Sequence, residues 1–170
     1  MTDAPATLEV LVFTGALVGA LLASWLSWTA GRLDRLHLRC EAADGALQSQ
    51  LSRRSAVAVE LAVGSLGDPA SSLLLLEAAH RARDAVGPDK WLAESELTRT
   101  LRLVKLPSEF ADPLVAELRD AAGKVAVARR IHNDLVASTC ALRSRRRVRW
   151  FRLAGHAKPP RMINFDDAVR

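Results

Sequence analysis

The sequence predicts an all-α chain: an N-terminal transmembrane helix continuing into a long antiparallel helical bundle, in which helices one and four form a long hairpin and helices two and three are shorter. Three observations carry this expectation. Residues 8–30, LEVLVFTGALVGALLASWLSWTA, contain one charge, Glu9. The remainder is rich in Ala, Leu and Arg, all good helix formers, and shows none of the alternating Val/Ile/Thr pattern of strands. Two long stretches carry apolar residues at heptad spacing between proline and glycine stops.

A helix rises about 1.5 Å per residue, and roughly 20 apolar residues cross a bilayer core, so residues 8–30 are long enough to span. Trp25 and Trp28 stand near the end of the run, where amphipathic rings favour the headgroup level. Met1 to Thr7 carries no Lys or Arg, and the apolar run exceeds the h-region of a secretory signal, so an uncleaved anchor is expected. Arg32, Arg35 and Arg39 follow the span with no basic residue before it. The positive-inside rule then puts the N-terminus outside and the C-terminal body in the cytoplasm, as expected of a single-pass plasma (inner) membrane protein. The expected organisation is a short extracytoplasmic tail (1–7), the span (8–30), a cytoplasmic bundle (31–152) and an irregular C-terminal tail (153–170). Cys40 and Cys140 would be reduced thiols, and their separation carries no metal-ligand spacing.

The first cytoplasmic helix steps through Leu33, Leu36, Cys40, Ala43, Leu47, Gln50, Arg54, Val57 and Leu61, a heptad seam with two polar interruptions. Gly64, Gly67 and Asp68-Pro69 stop it and start the second, with Asp68 as N-cap and Pro69 at the first helical position. The second helix extends to Val86 before Gly87-Pro88, and the third covers about Asp89 to Val104. Asp112-Pro113 opens the fourth, whose seam is Leu114, Leu118, Ala121, Val125, Ala128, His132, Leu135, Thr139 and Leu142. Helices one and four pair over ~45 Å at 1.5 Å per residue. Helices two and three, about half as long, would cover only the distal half. Leu36, Cys40, Leu135 and Leu142 would then line an apolar two-helix stem open to a partner. Placing Val63 near Pro113 sets His132 opposite Asp44 and Arg54 opposite Ala121 or Ala122. Asp44, Gln50, Arg54 and His132 thus form the expected polar seam, with a His132–Asp44 hydrogen bond fixing the register.

Two further groups stand out. Gly15, Gly19, Ala23 and Ser27 lie on one face of the span and include a GxxxG motif, which favours helix association in lipid. Arg143, Arg145, Arg146, Arg147, Arg149, Trp150, Phe151 and Arg152 form a basic stretch interleaved with aromatics. The antiparallel return brings this stretch beside Arg32 and Arg35, so contact with anionic lipid headgroups is expected in preference to nucleic acid. Glu77 and His80 have the Glu-x-x-His spacing of bundle metal sites, but the motif has no second copy. With no Gly-rich phosphate loop, no G-x-S-x-G and no useful Cys/His pair, the chain is read as a non-enzyme with no metal and no cofactor.

The chain also resembles the LemA family of single-span membrane proteins with a helical bundle. Arg35-Leu36-His37 and Ala46-Leu47-Gln48-Ser49-Gln50-Leu51-Ser52-Arg53-Arg54 resemble its Gln-rich "QL-x-RR" stretch. Ala128-Arg129-Arg130-Ile131-His132-Asn133-Asp134-Leu135-Val136 resembles its "AR-x-x-YN-x-x-V", with His132 in place of tyrosine. Ala154-Gly155-His156-Ala157-Lys158-Pro159 and Phe165-Asp166-Asp167 resemble its "GFKP…FE" tail. Ser55-Ala56-Val57-Ala58-Val59-Glu60 stands where the family has "LIPNLV". The resemblance implies no catalytic residues and no cofactor. The expected role is a non-catalytic adaptor or scaffold at the cytoplasmic face of the membrane. The alternative is an accessory subunit of a larger transport, respiratory or envelope complex. Either way the expected partners are membrane lipids and one or more membrane proteins, as a homo- or hetero-oligomer.

Overall fold

The computed structural model describes residues 4–64, 66–108, 112–150 and 159–168, with the side chains of residues 4–8, 10, 147 and 149 outside that description. It is all-helical among the described residues: α1 (Ala4–Gly64), α2 (Pro69–Asp84), α3 (Asp89–Leu103), α4 (Pro113–Arg143) and α5 (Arg146–Trp150). The chain divides into two compact units. One comprises Met1–Leu38 with Ser138–Pro160, the other Arg39–Ala137 with Arg161–Arg170.

The helix boundaries follow local chemistry. Asp68 caps α2 by accepting hydrogen bonds from the Ser71 amide (2.9 Å), the Ala70 amide (3.3 Å) and the Ser71 hydroxyl (2.6 Å). These bonds, the Ser71 hydroxyl first, hold the Asp68 carboxyl below its ordinary range. Gly87, at φ +66°, makes the turn into α3, a conformation that costs glycine little. At the start of α4 the Leu114 amide donates to the Asp112 carboxylate (2.8 Å). The ends of α2 and α3 fall at Asp84 and Leu103, one or two residues short of the sequence-based boundaries.

In the larger unit α1 packs against α4, with α2 and α3 alongside. Val57, Ala58, Leu61 and Ala62 from α1 meet Leu75, Ala79 and Ala82 from α2, Leu97 and Leu101 from α3, and Val115 and Leu118 from α4. Each buried leucine contributes about 1.5–3 kcal/mol. Arg53 bonds Glu117 (3.1 Å), while Leu47 shares a cluster with Val125, so rising numbers on α1 meet falling numbers on α4. The pairing is antiparallel.

Residues 159–168 form no regular element, yet Ile163 and Phe165 are buried in a second cluster with Leu47, Leu51 and Val125. Phe165 stacks on Trp91 (centroids 5.6 Å apart, planes 12° apart). The Asn133 side chain donates to the Ile163 carbonyl (2.9 Å) and accepts from the Ile163 amide (2.9 Å). Arg129 pairs with Asp167 (2.7 Å) and Arg102 with Asp166 (2.6 Å). The segment is a strap, held at Ile163, Phe165, Asp166 and Asp167 by specific partners.

In the smaller unit, Leu33 on α1, Leu142 on α4 and Val148 on α5 are buried together, with Leu36 packed against them. Among the described residues one helix is long and apolar enough to cross a membrane, and its apolar window, near the N-terminus, is not buried within the chain.

Candidate functional site

The smaller unit holds a cavity of about 390 Å³ at the C-terminal end of the apolar run. Its apolar lining comes from Trp25, Trp28, Leu142 and Val148, and its charged lining from Arg32, Arg145 and Arg146. The guanidinium of Arg32 lies over the Trp28 ring, 5.8 Å from its centroid. Thr29 turns its hydroxyl back to the Trp25 carbonyl (2.8 Å), which satisfies the only buried hydroxyl on this wall. The turn from α4 to α5 is fixed by the Ser144 amide on the Cys140 carbonyl (2.9 Å) and the Arg145 amide on the Leu142 carbonyl (3.3 Å).

The sequence-predicted headgroup residues distribute around this feature. Arg32, Arg145 and Arg146 line it and are exposed, as are Arg35 and Trp150 outside it, and Arg143 is half-buried and donates to His37 Nε2 (3.0 Å). The side chains of Arg147 and Arg149, together with Phe151 and Arg152, lie outside the described residues. Gly15, Gly19, Ala23 and Ser27 are all exposed on α1, and a Cβ built at Gly15 or Gly19 meets nothing within 4 Å.

The polar seam is distributed differently from the expectation. Arg54 faces α3: it is fully buried and donates to the Glu94 carboxylate (2.6 Å), the Glu94 carbonyl (3.3 Å) and the Thr98 hydroxyl (3.2 Å). A carboxylate, rather than Ala121 or Ala122, is what a buried guanidinium needs. Burial pushes the Glu94 carboxyl up, and the Arg54 charge and hydrogen bond pull it back. His132 is buried, but its ring nitrogen lies 3.4 Å from the Asn133 side-chain oxygen, and Asp44 is half-buried without a bond to it. The expected His132–Asp44 pair is therefore replaced by a contact with the next residue in the chain, which involves no residue of α1.

The stem residues also differ from the expectation of an open apolar surface. Cys40 and Leu142 are buried, and Leu36 and Leu135 are half-buried. Leu142 is covered by Val148 of α5, an element that the sequence reading did not separate. Neither Cys40 nor Cys140 forms a disulfide, and the Cys140 thiol is directed at the Pro160 carbonyl (3.8 Å).

The open surface lies elsewhere on the larger unit. A groove of about 550 Å³ is lined by Ala43, Ala46 and Gln50 of α1 and by Gly123, Val127, Ala128 and Ile131 of α4. Val127 is 57% exposed and Ile131 52%, large values for branched aliphatic side chains. The Gln50 Oε1 is buried here with no hydrogen-bond partner among the described residues. Asp120 and Lys124 form an ion pair (2.6 Å) on the rim.

Glu94 and the strap residue Ile163 escaped the sequence reading, and Phe165 entered it only as part of the tail resemblance, with no burial expected. Glu94 carried a signal, since it lies three and seven residues before Leu97 and Leu101 on the buried stripe of α3. Among the described residues no cluster of three or more His, Cys, Asp or Glu side chains is arranged to hold a metal ion. Compared with protein-family models, curated proteins and solved structures, the chain matches none of them.

Proposed function

We propose that this chain is a single-pass, membrane-anchored helical adaptor. Its larger unit lies on the cytoplasmic face of a bacterial inner membrane, with the N-terminus outside, and holds a partner protein without catalysing a reaction. The resemblance to LemA proteins belongs to the same proposal. The observation that carries it is the groove on α1 and α4. Ala43, Ala46, Ala128 and Gly123 present small side chains that let another backbone approach, with Val127 and Ile131 available for burial. The unsatisfied Gln50 carbonyl offers an arriving donor a hydrogen bond, and leaving such a group buried and unpaired costs about 1–3 kcal/mol.

The exposed stripe of Gly15, Gly19, Ala23 and Ser27 favours a second reading, in which the span itself packs inside a larger membrane complex. Affinity purification of the full chain in mild detergent, followed by mass spectrometry, separates the two. Loss of the co-purifying protein with Val127→Glu and Ile131→Glu, but not with Gly15→Leu and Gly19→Leu, is expected for the adaptor. The opposite pattern supports the complex subunit. Retention in both variants refutes the groove and the stripe alike.

A further inference from the structure

The cavity of the smaller unit has the chemistry of a specific lipid site. We infer that Arg32, Arg145 and Arg146 bind the phosphate of one anionic phospholipid headgroup, with Trp25 and Trp28 flanking its glycerol and upper acyl chain. This inference rests on the reading of α1 as a membrane span, and it specifies what the chain holds at the point where the span ends.

Charge comes first. Three guanidiniums line one cavity, and no carboxylate lines it with them. Among the described residues none of the three has an ion-pair partner, although Arg53, Arg54, Arg81, Arg83, Arg102 and Arg129 all do. Like charges converging without a counter-charge repel, and an arriving phosphate relieves that repulsion while accepting guanidinium hydrogen bonds in a geometry that suits it.

Pre-organisation comes second. Leu142 and Val148 are buried against Leu33, and backbone bonds fix the turn that carries Arg145, so α1, α4 and α5 hold the cavity walls without a ligand. Arg32 is already held over the Trp28 face. Location decides the source of the phosphate. The two indoles close an apolar run, where amphipathic rings favour the headgroup layer, so the phosphate within reach is that of a lipid rather than a soluble metabolite. A volume of about 390 Å³ admits a headgroup but not a folded protein segment.

The test uses the full chain. Flotation with phosphatidylcholine vesicles after a high-salt wash checks the underlying reading. If the chain fails to float, both that reading and this inference fall. With anchoring established, native mass spectrometry in detergent with equimolar phosphatidylglycerol and phosphatidylcholine reads selectivity. A preference of roughly tenfold for the anionic lipid is expected from three solvent-exposed arginines. Arg32→Gln, Arg145→Gln and Arg146→Gln together should bring it near unity with helicity retained. Arg99→Gln, Arg130→Gln and Arg161→Gln, equal in charge removed but placed in the other unit, should leave it intact. If the triple cavity variant loses helicity, the exposed-turn variant Arg145→Gln alone is read, with a loss of about threefold expected. Equal loss in the control set means diffuse attraction and overturns the site, as does an unchanged preference in the cavity variants. Displacement of the lipid by millimolar glycerol 3-phosphate would show a soluble-anion site and likewise overturn the lipid assignment.

Discussion

Replacing Arg54 with methionine should destabilise the larger unit far more than a typical core substitution, because it leaves Glu94 charged and alone. Arg54 and Glu94 are 0% and 1% exposed, so water can replace neither partner. The substitution removes three hydrogen bonds, at 2.6, 3.2 and 3.3 Å. Thr98 loses little, since its hydroxyl also donates to the Glu94 carbonyl (3.0 Å). Methionine preserves most of the arginine stem volume, so the penalty is that of the orphaned carboxylate, about 3–5 kcal/mol. Arg54→Met with Glu94→Leu should recover to within about 1 kcal/mol of the wild type, because it removes both desolvation penalties together. The coupling between the two sites should therefore exceed about 2 kcal/mol.

The pH dependence has a fixed sign. Burial raises the Glu94 carboxyl, and Arg54 lowers it. A carboxyl raised in the folded state binds its proton more tightly there, so its contribution weakens as pH rises from the unfolded value through the folded one. Removing Arg54 raises it further, so the deficit of Arg54→Met should shrink on acidification. Urea unfolding of the full chain in detergent, followed by far-UV circular dichroism at several pH values, reads both effects. An Arg54→Met penalty below about 1 kcal/mol, or one independent of pH, refutes the reasoning that a buried, charged Glu94 sets the cost.

The strap gives a second prediction. Phe165→Ala should cost about 3–5 kcal/mol, and Asn133→Ala about 1–3 kcal/mol, with residues 159–168 becoming sensitive to protease in both. An unchanged digestion pattern would mean that these contacts do not hold the segment. Topology gives a third. A membrane-impermeant maleimide should leave Cys40 and Cys140 unlabelled in intact cells and label both after denaturing lysis without reductant. Labelling before lysis, or a disulfide between them, would reverse the proposed orientation.

Much of the bundle was legible because helices announce themselves locally. Of the seam read on α1, Leu33, Cys40, Leu47, Arg54, Val57 and Leu61 are buried and Leu36, Ala43 and Gln50 half-buried; on α4, Leu118, Ala121, Val125, His132, Thr139 and Leu142 are buried and Leu114, Ala128 and Leu135 half-buried. Capping at Asp68 and the turn at Gly87 follow from side-chain chemistry that acts over three or four residues. What was not legible depends on contacts between elements. The partner of Arg54 belongs to α3, forty residues away, and a seam drawn for two helices cannot include it. Phe165 has no periodicity, so nothing in residues 159–168 taken alone foretells burial beside Trp91. Arg145 and Arg146 were named from the charge run and Arg32 from the end of the span, but the turn from α4 to α5 that carries Arg145 and Arg146 depends on contacts the run does not encode.

The strap has a consequence for the order in which the molecule is made. Residues 161–168 complete a cluster whose other members, Leu47, Leu51, Trp91 and Val125, are synthesised much earlier. That part of the core stays open until residues 161–168 are made, long after the apolar run of α1. Vectorial synthesis thus separates two events: the apolar run of α1 is available to its surroundings before the larger unit closes behind it. Closing so long a loop is slow, which lengthens the interval in which apolar surface is exposed. The faces of α1 and α4 that the cluster later covers are most accessible to a chaperone during that interval.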